Sequence, residues 1–172
     1  MSDKTYEIDT LILATGFDAM TGALTNVDIS GRENIKLRDQ WEDGAKSYLG
    51  LGISNFPNLF TVTGPGSPSV LSNMMPSIEQ HVNWITDCIE WMIQNEKTVI
   101  ESSETAEDDW MMLVNEIADM TIFTDTKSWY NGSNIETKAK AFLPFIGVPV
   151  YTEMLEEIVK DDYKGFIFDK VN

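Results

Sequence analysis

Apolar residues recur at steps of three and four along the middle of the chain. Ile78, Val82, Ile85, Ile89 and Met92 fall on one stripe of a helix. The spacing predicts an amphipathic helix with Pro76 in its first turn, where a missing N–H costs nothing. Trp110, Leu113, Val114 and Ile117 mark a second helix in the same way. Thr105, with Asp108 three residues on, predicts its N-terminal cap, and Glu107, Asp108 and Asp109 suit its positive end. A short helix is expected around Glu153–Lys160, and the closing "GFIF" reads as a strand.

Two continuous apolar runs have no helical period. Thr10–Ala14, in "IDTLILATGF", and Leu59–Thr63, in "FPNLFTVTG", predict strands apolar on both faces, each stopped by glycine. The polar stretch between them has room for short strands around Val27–Ile29 and Ile35–Leu37. The segment "FTDTKSWYNGSNIETKAK" reads as a loop. A two-faced strand at Thr10–Ala14 needs neighbours on both sides, and few other strands are expected. The pattern is therefore α/β, or α+β as an isolated piece, with helices around an incomplete sheet.

Composition narrows the function. The chain has 172 residues, 42% of them hydrophobic, enough for one domain or a large part of one. Twelve basic residues against 28 acidic ones give a net charge of −16. That argues against nucleic acid and against an anionic membrane surface, both of which select Lys and Arg. No apolar run is long enough for a membrane span and no signal-peptide pattern opens the chain. Cys88 is the single cysteine, which excludes an internal disulfide and points to the cytoplasm. His81 is the single histidine; it falls off the apolar stripe and has no Cys or His at ligand spacing. No metal is expected, and a surface or helix-packing role is expected for His81.

The candidate chemistry sits in "GPGSPSVLSNM", Gly64 to Met74, between the second apolar run and the helix. Glycine there either ends a strand or lets backbone approach a flat or anionic group. Backbone N–H groups at the start of the helix suit a carbonyl oxygen or an anion. Ser67, Ser69, Ser72 and Asn73 are cap candidates as much as contacts, and Met74 is equally a core filler. "GLGISN" is not a phosphate loop: Asn55 stands where the third glycine belongs and no helix follows. Trp129 and Tyr130, in "SWYNGSN", either pin their loop or stack on a ligand.

Taken together, "DTLILATGFDAMTGAL", "SYLGLGISNFPNLFTVTGPGSPSVLSNMMPSIEQHVNWI", "NEIADMTIFT", "SWYNGSN" and "YKGF" resemble the C-terminal part of Baeyer–Villiger monooxygenases. The resemblance runs from about Ile8 to Phe168. It implies an enzyme in which FAD, reduced by NADPH, reacts with O2 and oxidises a ketone to an ester or lactone. It implies that the backbone of Met74 meets FAD, with Asn73 and Gly64 nearby. Ser69, Val70 and Leu71 would shape the substrate pocket. Trp129 would contact NADP, with Asn134 beside it. The family usually continues this loop "GANIPGK"; here it is "GSNIETK", and Glu136 near a phosphate would repel it.

The Gly-rich FAD and NADPH fingerprints of the family do not occur in the sequence, nor does its histidine motif or the arginine beside the flavin. The resemblance thus implies about a third of such an enzyme: the C-terminal part of its FAD-binding, three-layer dinucleotide-type domain. No catalytic residue is expected in this chain, and neither FAD nor NADP(H) is expected to bind it alone. Residues 1–18 would be the crossover strand and "ATGF" turn, 19–95 the flavin-facing strand, loop and helix, and 96–172 a helix, the mobile loop and a C-terminal cap. One rival is a non-catalytic acidic module that binds a partner or self-associates through an unpaired sheet edge. A second is an N-hydroxylating or sulfoxidising flavin monooxygenase, against which "SPSVLSNM" and "SWYNGSN" speak.

Overall fold

The computed structural model describes residues 5, 7–13, 18–19, 21–68, 72–125 and 147–170. Its regular elements are α1 (Gly22–Thr25), α2 (Leu37–Gln40), α3 (Met74–Gln94), β1 (Val99–Ser102), α4 (Glu104–Asp119), α5 (Val148–Lys160) and β2 (Phe166–Asp169). Among the described residues the only sheet is the antiparallel pair β1–β2, with Ile100 opposite Phe168 and Ser102 opposite Phe166. The fold is thus helices around a small sheet.

The main core gathers the inner faces of α3, α4 and α5 around the irregular segment 47–67. Tyr48, Leu49, Leu51, Trp84, Cys88, Val114, Tyr151 and Leu155 are all buried in it. Trp84 meets Tyr163 edge-on at 5.2 Å, and Trp91 lies 4.9 Å from Phe168, so β2 and the turn before it close the cluster. A second cluster forms where Leu37, Trp41, Ala45, Ile53 and Phe56 meet.

α3 is the predicted helix, but it turns a different face inward. Ser77, His81, Trp84, Cys88 and Met92 are its buried residues. Of the predicted stripe only Met92 is buried; Val82 and Ile89 are exposed, as is Ile93 on the same side. The stripe misled because both faces of α3 are apolar, and the inner one hides small or polar residues among its aromatics. α4 starts two residues earlier than predicted. Ser103 is its cap, accepting from the Ala106 N–H at 3.2 Å, and Thr105 lies inside the first turn.

Both predicted two-faced strands are corrected. Residues 10–13 form no strand, and Leu11, Ile12 and Leu13 are 71%, 83% and 75% exposed. Among the described residues no strand lies beside them, so nothing buries them. Ala14 lies outside the described residues. Leu59–Thr63 is also no strand: Phe60 makes a single bridge to Gly52, and Val62 is exposed. Its backbone turns instead, because Thr63 takes a left-handed φ of 52°. Between them, the expected short strands reduce to one bridge, Ser30 to Lys36. β1 had no counterpart in the expected elements, whereas α5 and β2 did.

Glu107 shows how the irregular segment is held. It is buried, accepting from the Ser54 N–H at 3.0 Å and the Ser54 hydroxyl at 2.7 Å. Burial raises its pKa, and the two Ser54 hydrogen bonds oppose the rise. The Glu107→Ala variant leaves two buried Ser54 donors without an acceptor. It is expected to lose about 1–3 kcal/mol and to lower Tm by roughly 2–12 °C in thermal unfolding.

Candidate functional site

The segment Gly64–Met74 leaves the core at Thr63 and returns to it as α3. Its described residues divide into two parts. Residues 64–68 are buried, and residues 72–74 are half-buried or exposed at the start of α3. Ser69, Val70 and Leu71 lie outside the described residues, as do Trp129, Tyr130, Asn134 and Glu136.

The buried part is fixed residue by residue. The Gly64 N–H donates to Gly50 O at 3.1 Å, and the Ser67 N–H to Gly64 O at 3.1 Å. The Ser47 hydroxyl donates to Pro65 O, and the Trp110 indole N–H to Gly66 O at 3.0 Å. Two glycines are required by this geometry. Gly50, at φ 73°, lies so close to Ser67 that a Cβ would come within 2.4 Å of the serine Cβ. Gly66, at φ 81°, faces the Trp110 ring. These turns explain "GLGISN": its backbone is a buried support for the loop, with Asn55 N–H donating to Glu101 at 2.8 Å. Gly64 also packs against protein. A Cβ there would meet Thr61 Oγ1 at 2.4 Å and Gly50 O at 2.9 Å.

The exposed part opens α3. Asn73 is the cap, its side chain accepting from the Met75 N–H at 3.1 Å. Met74 is the first helical residue, half-buried, and Met75 is exposed. The helix behind them has 21 residues, so its positive end lies at this open turn.

His81, two turns along α3, is completely buried. Its Nδ1 accepts from the Thr63 N–H at 3.0 Å, and its Nε2 lies 2.8 Å from the Tyr151 hydroxyl. Tyr151 donates to Leu49 O at 2.6 Å. A backbone N–H only donates, so Nδ1 carries no proton; these partners assign the Nε2–H tautomer, donating to Tyr151. Leu49 and Thr63 both have left-handed φ, 63° and 52°. Such backbone costs about 1–3 kcal/mol per residue and persists where its surroundings hold it. The expected packing role for His81 is the observed one, but as a buried hydrogen-bonding centre. The signal was present in the sequence: Ser77, His81, Trp84 and Cys88 share one face of the helix.

Other candidates carry less. Cys88 is a buried free thiol whose pKa burial pushes up to about 12, so it is no nucleophile. Among the described residues no cluster of His, Cys, Asp and Glu suits a metal ion. Among them no helix is long and apolar enough to cross a membrane. A groove of about 600 Å³ runs between α3 and α5, lined by Gln80, Trp84, Thr152 and Leu155, and holds none of the predicted site residues.

With this geometry in hand, comparison with known proteins gives a class. No family model matches the chain. It is 36% identical over 170 residues to a Baeyer–Villiger monooxygenase of Pseudooceanicola batsensis, covering 98% of this chain and 31% of that protein. It is 39% identical over 163 residues to the phenazine N-monooxygenase PhzNO1 of Lysobacter antibioticus, covering 94% and 30%. It superposes on the crystal structure of cyclohexanone monooxygenase from Rhodococcus sp. Phi1 bound to NADP+ with a TM-score of 0.90 and 37% identity, over 96% of this chain and 31% of that one. The chain spans about three tenths of the length of the curated relatives it matches. Fold and sequence together make it a homologue of FAD- and NADP-dependent monooxygenases. Its homologues within that class are Baeyer–Villiger monooxygenases of the cyclohexanone monooxygenase type.

His81 also gives a pH prediction. Burial lowers its pKa to about 4, below the value near 6.5 of an unfolded histidine. The folded state therefore holds His81 neutral, and the stability this gives is complete above pH 6.5. It is lost as pH falls from 6.5 through about 4, by up to about 3 kcal/mol. Urea unfolding at pH 7 and pH 5 should show the loss. The His81→Asn variant, with no histidine left, should lack that component of the slope.

Proposed function

We propose that this chain forms the flavin- and substrate-facing wall of a Baeyer–Villiger-type monooxygenase. The observation that carries the reading is the agreement of fold and sequence over 96% of the chain with cyclohexanone monooxygenase. The start of α3 supports it. Asn73 and Met74 offer an open helix terminus, with neutral backbone dipoles, to a carbonyl edge of a flavin ring. That donor set fits a flavin. Bound FAD, reduced by NADPH, supplies the oxygen chemistry; Met74 and Asn73 orient its ring, and the buried Gly64–Pro68 segment backs the wall and excludes water. On this reading Ser69, Val70 and Leu71 shape the ketone pocket, and Trp129 and Asn134 meet NADP. The domain boundaries at residues 18 and 95 and a cytoplasmic location belong to the same reading.

The reading includes a need for further polypeptide. Ile8, Leu11, Ile12 and Leu13 are exposed, and so are Val82, Ile89 and Ile93 on the outer face of α3. Monomers rarely leave such surface open. Its occupant here is the portion of the family's length that lies outside the match, which also carries the pyrophosphate sites. The chain alone is then inactive and takes up neither FAD nor NADP(H).

One finding favours a second reading. PhzNO1, by its name an N-monooxygenase, is as similar to this chain as the ketone-oxidising relatives are. The loop sequences therefore do not by themselves separate a ketone from an aromatic nitrogen.

The test is a flavin absorbance spectrum before and after adding FAD, with light scattering on the same sample. It is run on the chain alone and on the chain mixed with the complementary portion of cyclohexanone monooxygenase. The expected result is a colourless chain alone, and a yellow complex that consumes NADPH and O2 with cyclohexanone or with phenazine. Stoichiometric FAD on the chain alone would overturn the need for further polypeptide. A colourless self-associated chain with no complex would favour the non-catalytic module.

A further inference from the structure

We propose that His81 is the positioning residue of the candidate flavin-facing loop: through its Nδ1 acceptor it fixes where the loop begins relative to the helix on which the loop ends. The role of the loop rests on the flavin-wall reading; the positioning rests on geometry alone.

The loop ends covalently on α3, at Met74. It begins at Thr63, whose N–H donates to His81 on the same helix. The two ends are thus tied to one rigid element seven residues apart, about two turns. The bonds from Gly50, Ser47 and Trp110 act differently: they hold Gly64, Pro65 and Gly66, just inside its start, from the irregular segment and from α4. The Thr63–His81 bond relates its start to its finish.

The bond is also directional. Thr63 is β-branched and sits at φ 52°, a conformation such residues avoid, so its N–H points where an extended residue would not place it. The acceptor that meets it must be an unprotonated ring nitrogen. Nε2–H donates to Tyr151, which donates to Leu49 O, the carbonyl of the second left-handed residue. One chain of hydrogen bonds therefore pins both unusual backbone positions and sets the tautomer that makes Nδ1 an acceptor.

Two substitutions separate this role from simple filling of the core. His81→Asn places an amide oxygen near the Nδ1 position and keeps an acceptor for Thr63. His81→Gln reaches the Nε2 position and keeps a donor for Tyr151 but leaves the Thr63 N–H unmet. Amide hydrogen exchange on the chain is the readout, scaled to global stability measured by urea. His81→Gln is expected to speed exchange at Thr63 and Gly64 by roughly tenfold or more beyond the global change, and His81→Asn to leave it near wild type. Equal effects of both variants, or effects spread evenly over the chain, would overturn the proposal. Nitrogen NMR of the single histidine in the unmodified chain decides the matter if neither variant folds. A protonated Nε2 and bare Nδ1 at pH 7 are expected, and the other tautomer would overturn it. Loop protection that follows the Asn/Gln pattern, with no flavin bound by the complemented enzyme, would sink the flavin-wall reading and leave the positioning intact.

Discussion

Residues 47–67 are mostly buried, with almost no helix or sheet of their own, and a buried backbone must still find hydrogen-bond partners. Regular structure would supply them internally. Here side chains do so: Glu107 at Ser54, Trp110 at Gly66, His81 at Thr63 and Tyr151 at Leu49. Each comes from a different turn of α3, α4 or α5. The three long helices are placed around this segment by the bonds they make to it as much as by their apolar contacts. Gly50 lets two of its turns touch, and a methyl group there would separate them.

That constraint decides what was legible in the sequence. Periodicity found α3, α4 and α5, because amphipathic helices advertise their spacing. It did not find which face of α3 turns inward, because that depends on the polar bonds of segment 47–67. Ser77, His81 and Cys88 look like an outer face beside the aliphatic Ile78, Val82 and Ile89. The irregular segment needs His81, however, and the aromatic cluster of Trp84 with Tyr163 and Phe166 needs that side of the helix. The apolar runs at residues 10–13 and 59–63 failed as strands for a related reason. A strand is a relation between neighbours, and a run of apolar residues cannot state whether the neighbours are there. β1 was missed because four residues with alternating burial, inside "TVIESSE", are too short to stand out.

The candidate site was legible in another way. Spacing alone left each residue of "GPGSPSVLSNM" open between capping, core filling and contact with a ligand. The ordered set of motifs carried the family, and similarity over nearly the whole chain agrees with it. The structure then divides the loop's work. Gly64, which the resemblance placed beside FAD, packs against Thr61 and Gly50, so its bareness serves the fold directly. Among the described loop residues, Asn73 and Met74 lie at its open end, where α3 begins.

Charge gives the same division from another direction. With a net charge of −16 the chain is a poor surface for phosphates. Among the described residues several cations are paired with carboxylates: Arg32 with Glu101, Lys36 and Arg38 with Asp28, Lys46 with Asp108, Lys170 with Glu96. What the described loop offers instead is neutral: backbone N–H groups, an amide at Asn73 and a thioether at Met74. Such groups suit the uncharged edge of a flavin ring, whose carbonyls need donors and no counter-ions. On the flavin-wall reading proposed above, a dinucleotide whose ring lay against these neutral groups would find the cations for its pyrophosphate on other polypeptide, and the exposed apolar face of α3 would be the surface on which that polypeptide rests.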